Sequence, residues 1–322
     1  MAPTPSSRES GFAALALKAR RHRGMLVLVS VGTAALVVAA VVAVPALVEG
    51  PGRASHAPAI AATVAPVAAA TPTAAPRPAP PVVAPAAVAA LPEVDYSAVI
   101  AGLLPQAAKL PASASTTVYH LNTDAPLFGA DPTTPVARFA AKDFLGADST
   151  VVGVEQSGDW ALVLTPARSI LPSKAPAGVT APAQTAAWVP TSYLVQVATP
   201  AEHVVVSTAA QTVSIVDQAG TVVQSFGAGI GTSTTPTPVG VTGYLEERYV
   251  DPSQGTGTHP IQLTSLHSSA ADEPYGGSDG GLIGVHYYSA HAGAVSHGCV
   301  RLDATALAAI DALPLGTLVT VQ

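Results

Sequence analysis

Cysteine occurs once in the 322 residues, at Cys299. A single thiol excludes a disulfide within the chain and any zinc site built on paired cysteines. Charge is also sparse. Lys, Arg, Asp and Glu together make 11% of the sequence, against roughly 25% in an ordinary globular chain. A coiled coil, whose flanking positions need charges, is excluded. The balance is acidic, with 14 basic against 20 acidic residues. No basic face exists to neutralise phosphates, so a nucleic-acid partner is not expected. Aromatics reach only 5%, and 30 prolines argue against long uninterrupted helices. Ala, Val, Pro, Gly and Thr fill the chain instead.

The few charges are unevenly placed. Residues 1–24 carry Arg8, Lys18, Arg20, Arg21 and Arg23 against Glu9 alone. An uncharged run rich in Leu, Val and Ala follows as far as Val48. At about 1.5 Å per residue this run exceeds the roughly 30 Å of bilayer hydrocarbon. It is expected to be a single transmembrane helix over 25–48 behind a basic cytoplasmic tail over 1–24. The positive-inside rule places everything after Glu49 outside the membrane. A cleaved signal peptide is the alternative, with Val44-Pro45-Ala46 as a poor cleavage site. The run is longer than a typical signal core. Residues 49–94 are rich in Pro and Ala and almost free of aromatic or charged side chains. They read as a disordered or polyproline-like linker, long enough to lift a folded unit toward a cell wall.

Two folded units follow, and the expected class is mainly β. In 95–200 a short helix is expected over 99–108, then strands over 116–121, 135–139, 151–155, 160–165 and 188–194, a pattern of short runs and turns that suggests a small barrel. Val154-Glu155-Gln156-Ser157-Gly158-Asp159-Trp160-Ala161-Leu162-Val163, with Trp188-Val189-Pro190 later, resembles bacterial SH3-like domains, although Ala187 stands where a glycine is common. Trp160 and Trp188 read more readily as barrel core than as a ligand site. In 201–322 strands are expected over 203–207, 212–216, 221–226, 241–245, 261–266, 282–286 and 317–321. A helix over 304–312 is expected to be capped by Asp303. The unit reads as a β-sandwich or open barrel with one short helix.

The chemistry concentrates near the end. His259, His267, His286, His291 and His297 all precede Cys299 closely. A thiol is a good nucleophile only as thiolate, and a neighbouring imidazole can take its proton. The sequence alone leaves open a nucleophile and an inert core cysteine. Gly298 favours a sharp turn that exposes the sulfur. A zinc hydrolase built on the histidines and Cys299 is a further possibility, but no H-E-x-x-H spacing is present.

Ser296-His297-Gly298-Cys299-Val300-Arg301-Leu302, preceded by Ile283-Gly284-Val285-His286 and by Thr235-Pro236-Thr237-Pro238-Val239-Gly240, resembles the YkuD-type L,D-transpeptidases. The resemblance covers about 202–322. It implies Cys299 as nucleophile and His286 as proton acceptor and donor. It implies that the Tyr287 carbonyl orients the His286 ring, that His297 lies beside the site, and that Ser296 braces the turn. Gly298 and Cys299 N–H groups would form the oxyanion hole. Arg301 would meet a substrate carboxylate or pair structurally. The substrates would be peptidoglycan stem peptides joined 3→3, with no metal or organic cofactor, in a monomer anchored to the cell membrane and facing the wall. Hydrolysis by the same cysteine, or a silent wall-binding protein, would be the alternatives. Two departures stand out. Only nine residues separate His286 from Ser296, and Tyr287 occupies a position usually held by glycine. The short connection leaves His291 as a competing base.

Overall fold

The structure, a computed structural model, describes residues 77–106, 110, 114, 116–251, 259–270 and 281–322. The expected tail over 1–24 and membrane span over 25–48 lie outside these residues. Among the described residues no helix is long and apolar enough to cross a membrane.

The described chain is mainly β, in two sheets. The first begins after a five-residue helix, α1 (Pro85–Ala89), and contains β1 (Leu104–Pro105), β2 (Thr117–Leu121), β3 (Ala125–Phe128), β4 (Pro135–Phe139), β5 (Val151–Ser157), β6 (Trp160–Thr165), β7 (Thr185–Pro190) and β8 (Leu194–Ala198). The order is β4-β3-β7-β6-β5-β2-β8, all antiparallel, with β1 paired to β7. Among the described residues no ladder joins β4 to β8, so the sheet is curved but not closed.

Two expectations change here. No helix forms in the described part of 99–108. Val99 bridges Arg168 instead, and Leu104–Pro105 pairs with β7. Gly102 has φ +96°, a conformation that breaks a helix, and Pro105 cannot donate a helical hydrogen bond. The linker expected over 49–94 is ordered over 77–94. Val88 and Val94 are buried, and Arg138 N donates to Pro92 O at 2.9 Å. Trp160 Nε1 donates to Pro78 O at 2.6 Å. The Arg77 guanidinium lies 5.2 Å from the Trp160 ring and 4.6 Å from that of Trp188. Both indoles are buried, and Trp160 meets Phe128 edge to face. They are packing residues, as expected.

The second sheet contains β9 (Glu202–Ser207), β10 (Thr212–Asp217), β11 (Val222–Gly227), β12 (Gly229–Gly231), β13 (Val241–Tyr249), β14 (Ile261–His267), β15 (Leu282–Tyr287), β16 (Gly293–Ser296), β17 (Val300–Leu302) and β18 (Leu318–Val321), with the helix α2 (Ala304–Asp311). Its order is β11-β10-β9-β18-β13-β14-β15-β17-β12-β16. Asp303 caps α2 by accepting from Ala306 N at 2.8 Å, which satisfies an otherwise orphaned donor. Ala306, Leu307 and Ile310 of α2 pack with Leu245, Val285, Val300 and Leu302 in one core. Burial of each large aliphatic side chain contributes about 1.5–3 kcal/mol.

The sheets touch. Tyr244 of β13 packs among Val118, Val152, Leu164 and Ala186 of the first sheet. Ser265 Oγ donates to Gln184 Oε1 at 2.7 Å, and His267 Nε2 donates to Tyr96 O at 2.9 Å.

Candidate active site

The parallel pairing of β15 with β17 sets the site. Val285 lies opposite Val300, His286 opposite Arg301 and Tyr287 opposite Leu302. Cys299 therefore enters β17 beside β15. Gly284 N donates to Cys299 Sγ at 3.5 Å, and Sγ faces Leu282 O at 3.7 Å. His286 lies two residues along β15 from Gly284, whose N–H meets the sulfur. Cys299 is half-buried, neither sealed in the core nor fully open.

The turn that carries Cys299 is held from several directions. Gly298 has φ +112°, a left-handed conformation suited to glycine, and a Cβ there would meet Ile283 Cδ1 at 2.8 Å. Ser296 Oγ donates to Cys299 O at 2.5 Å and accepts from Gly298 N at 3.2 Å. Thr237 Oγ1 donates to Gly298 O at 2.7 Å, and Thr235 Oγ1 donates to Ser296 O at 3.0 Å. Thr237 Oγ1 also accepts from Gly231 N at 3.0 Å, tying β12 to the same turn. Both threonines are buried. The Thr-Pro segment entered the sequence reading only through the resemblance, and this bonding was not foreseen. Its signal is the alternation of Thr235 and Thr237 around Pro236, which aims two hydroxyls the same way.

Of the two expected oxyanion donors, Gly298 N already donates to Ser296 Oγ at 3.2 Å, a bond it would share with or yield to an oxyanion.

His286 Nδ1 donates to Tyr287 O at 3.0 Å, which leaves Nε2 as the basic nitrogen of the neutral ring. Burial lowers the pKa of His286 from its usual 6.5. The bond to Tyr287 works against that shift, and the Arg301 charge reinforces it. The imidazole is therefore neutral, and able to accept a proton, at pH 7. Arg301 stacks on the Tyr288 ring at 4.2 Å, and Tyr288 meets His286 edge to face at 6.2 Å. His259 lies against Tyr287, ring centres 4.4 Å apart.

His291 sits in the connecting loop, its Nδ1 donating to Tyr288 O at 3.0 Å. His297 is exposed, and the bracing of the turn falls to Ser296, Thr235 and Thr237. His267 is buried at the contact between the sheets. Among the described residues no group of three or more His, Cys, Asp or Glu side chains is placed to hold a metal ion.

Comparison with known proteins adds to this geometry. Residues 201–321 match the model of the YkuD family, the L,D-transpeptidase catalytic domain. No curated protein matches the chain. Among solved structures, the chain is similar to an L,D-transpeptidase from Mycobacterium smegmatis, at 15% identity over 70% of this chain and 94% of that one, with a TM-score of 0.30. An L,D-transpeptidase from Mycobacterium tuberculosis H37Rv is 18% identical over 54% of this chain and 90% of its own, with a TM-score of 0.30. The catalytic domain of the E. faecium L,D-transpeptidase is 18% identical over 38% of this chain and 96% of its own, with a TM-score of 0.27. The comparisons do not support the SH3-like resemblance of 95–200, and the family match begins only after β8. The residues that match the L,D-transpeptidase catalytic domain, 201–321, are the second sheet with its helix.

Proposed function

We propose that this protein is a peptidoglycan L,D-transpeptidase in which Cys299 forms a thioester with a donor stem peptide and passes it to a neighbouring stem as a 3→3 cross-link. What supports the reading is the register of β15 on β17, which sets the Gly284 N–H against the Cys299 sulfur with His286 two residues further along the same strand. In the resting thiol, S–H points toward Leu282 O. When His286 Nε2 takes that proton, the Gly284 N–H remains to stabilise the thiolate. The sulfur attacks the carbonyl of the third stem residue. The imidazolium returns its proton to the nitrogen of the departing D-Ala. The side-chain amine of the acceptor stem then attacks the thioester, His286 takes the amine proton, and Cys299 is regenerated. The Tyr287 carbonyl holds the ring through Nδ1–H throughout.

In this reading residues 25–48 anchor the protein in the cell membrane, with the N-terminus in the cytoplasm and the catalytic sheet on the wall side. It acts as a monomer. The SH3-like character of the first sheet rests on the residues around Trp160 and Trp188 alone.

The test is to incubate the protein with purified tetrapeptide stems and follow D-Ala release and peptide dimers by mass. Dimers with the intact protein and none with Cys299→Ala are expected. Dimers formed by Cys299→Ala would overturn the proposal, and D-Ala release without dimers would identify a carboxypeptidase instead. Loss of acylation in His291→Ala but not in His286→Ala would reassign the base.

A further inference from the structure

Between the two sheets lies a cavity of about 200 Å³, lined in part by Asp95, Tyr96, Asp143, Phe144, Glu246 and Glu247. Four of these six are carboxyls. Most charged groups around the cavity have partners. Glu93 pairs with Arg138. Asp95 accepts from Ser97 N and Oγ at 2.7 Å each. Lys142, the cation at the wall, directs Nζ to Asp148 at 2.6 Å. Asp143 accepts from Leu145 N at 2.8 Å and Ala147 N at 2.9 Å, and shares a hydrogen bond with Glu247. Glu246 is different. Its Oε2 is shut off from solvent and takes part in no hydrogen bond.

A shielded carboxyl oxygen without a partner costs free energy. Burial, and then the like charges of Glu247, Asp95 and Asp143, push the Glu246 carboxyl well above its usual range. What would satisfy Oε2 is a group that brings both an N–H and positive charge. The rest of the wall suits one. The Tyr96 and Phe144 rings meet edge to face at 5.4 Å, and aromatic faces attract cations. Phe144 is a large apolar ring left 48% exposed.

We propose that this cavity binds the primary ammonium head of an alkylamine, which donates to Glu246 Oε2 and lies against the Tyr96 and Phe144 rings. A quaternary ammonium satisfies the rings but has no hydrogen for Oε2. The site uses none of the residues assigned to the reaction at Cys299, so either reading stands or falls without the other.

The test is calorimetric titration of the full chain, in non-ionic detergent, with n-butylammonium and separately with choline. n-Butylammonium binds, and choline binds at least tenfold more weakly. Binding releases a proton as Glu246 ionises, seen as a heat that changes with the buffer. Glu246→Gln weakens n-butylammonium at least tenfold. Phe144→Ala, at an exposed position, weakens it several-fold, and Cys299→Ala leaves it unchanged. Absence of binding, equal affinity for choline, or full affinity in a folded Glu246→Gln protein would overturn the proposal. Should Glu246→Gln unfold, Phe144→Ala and the buffer dependence decide: unchanged affinity together with a buffer-independent heat overturns it.

Discussion

His267 gives the sharpest quantitative test of the contact between the sheets. It ends β14, is buried, and donates from Nε2 to Tyr96 O at 2.9 Å. Burial, and then the Arg168 guanidinium, lower its pKa from 6.5 to about 4. In the unfolded chain an imidazole titrates near 6.5. The folded pKa is the lower one, so the unfolded state binds more protons as the pH falls. Stability from this group is intact above pH 6.5 and drains as the pH falls toward 4. From the two values, linkage gives a loss of about 2 kcal/mol at pH 5 and about 3 kcal/mol at pH 4. Glu247 acts the other way. Burial and its bond to Asp143 raise its pKa from 4.5 to about 7. Its contribution is present below 4.5 and is lost as the pH rises through 7. The two groups oppose each other over one window, so the curve of the intact protein cannot separate them. His267→Gln can, because its side-chain amide retains a donor for Tyr96 O but does not titrate. Urea unfolding of both proteins at pH 7, 5 and 4 is the assay. The variant is expected to be the less stable at pH 7. By pH 4 the difference should shift in its favour by about 3 kcal/mol. Parallel curves for the two proteins would refute the assignment of a buried neutral imidazole.

Gly298→Ala places a Cβ at φ +112° and 2.8 Å from Ile283 Cδ1; it should cost about 2 kcal/mol of stability, read from thermal unfolding. The acid limb of kcat/KM for D-Ala release should lie below pH 6.5, because burial lowers the pKa of His286, and His286→Ala should abolish that release. Arg77→Ala removes a cation held over both indoles, worth about 1 kcal/mol. Trp160 and Trp188 are the only tryptophans, so a red-shifted emission would report their exposure directly, and an unchanged spectrum would count against the clamp.

Most strands of the second sheet were legible because they are β-branched runs bounded by Gly, Pro or Asp. Thr212–Asp217 shows this; Val241–Tyr249 has only Val241 and Thr242 after Gly240, and it continues four residues past the expected end, where charge enters at Glu246. Hidden were strands whose residues say little locally. Gly229–Gly231 is glycine-rich and becomes a strand only because β16 and β17 flank it. Ala125–Phe128 contains Pro126 and no β-branched residue, and is held by β4 and β7. Cys299 stood out as a candidate because it is the one cysteine of the sequence, with five histidines shortly before it. The engagement of Gly298 N–H by Ser296 Oγ could not be read, since it depends on the turn's closure. Residues 77–94 resembled linker because Pro and Ala bury little surface, but the indoles of β6 and β7 supply the surface that they lack.

The grip of Trp160 and Trp188 on Arg77 and Pro78 also has a mechanical meaning. Tension arriving along the chain from the N-terminal side enters the folded body at that clamp. It loads an indole hydrogen bond and a stacked guanidinium on the first sheet. The strands of the second sheet come much later in the chain, so the clamp takes such a load before they do.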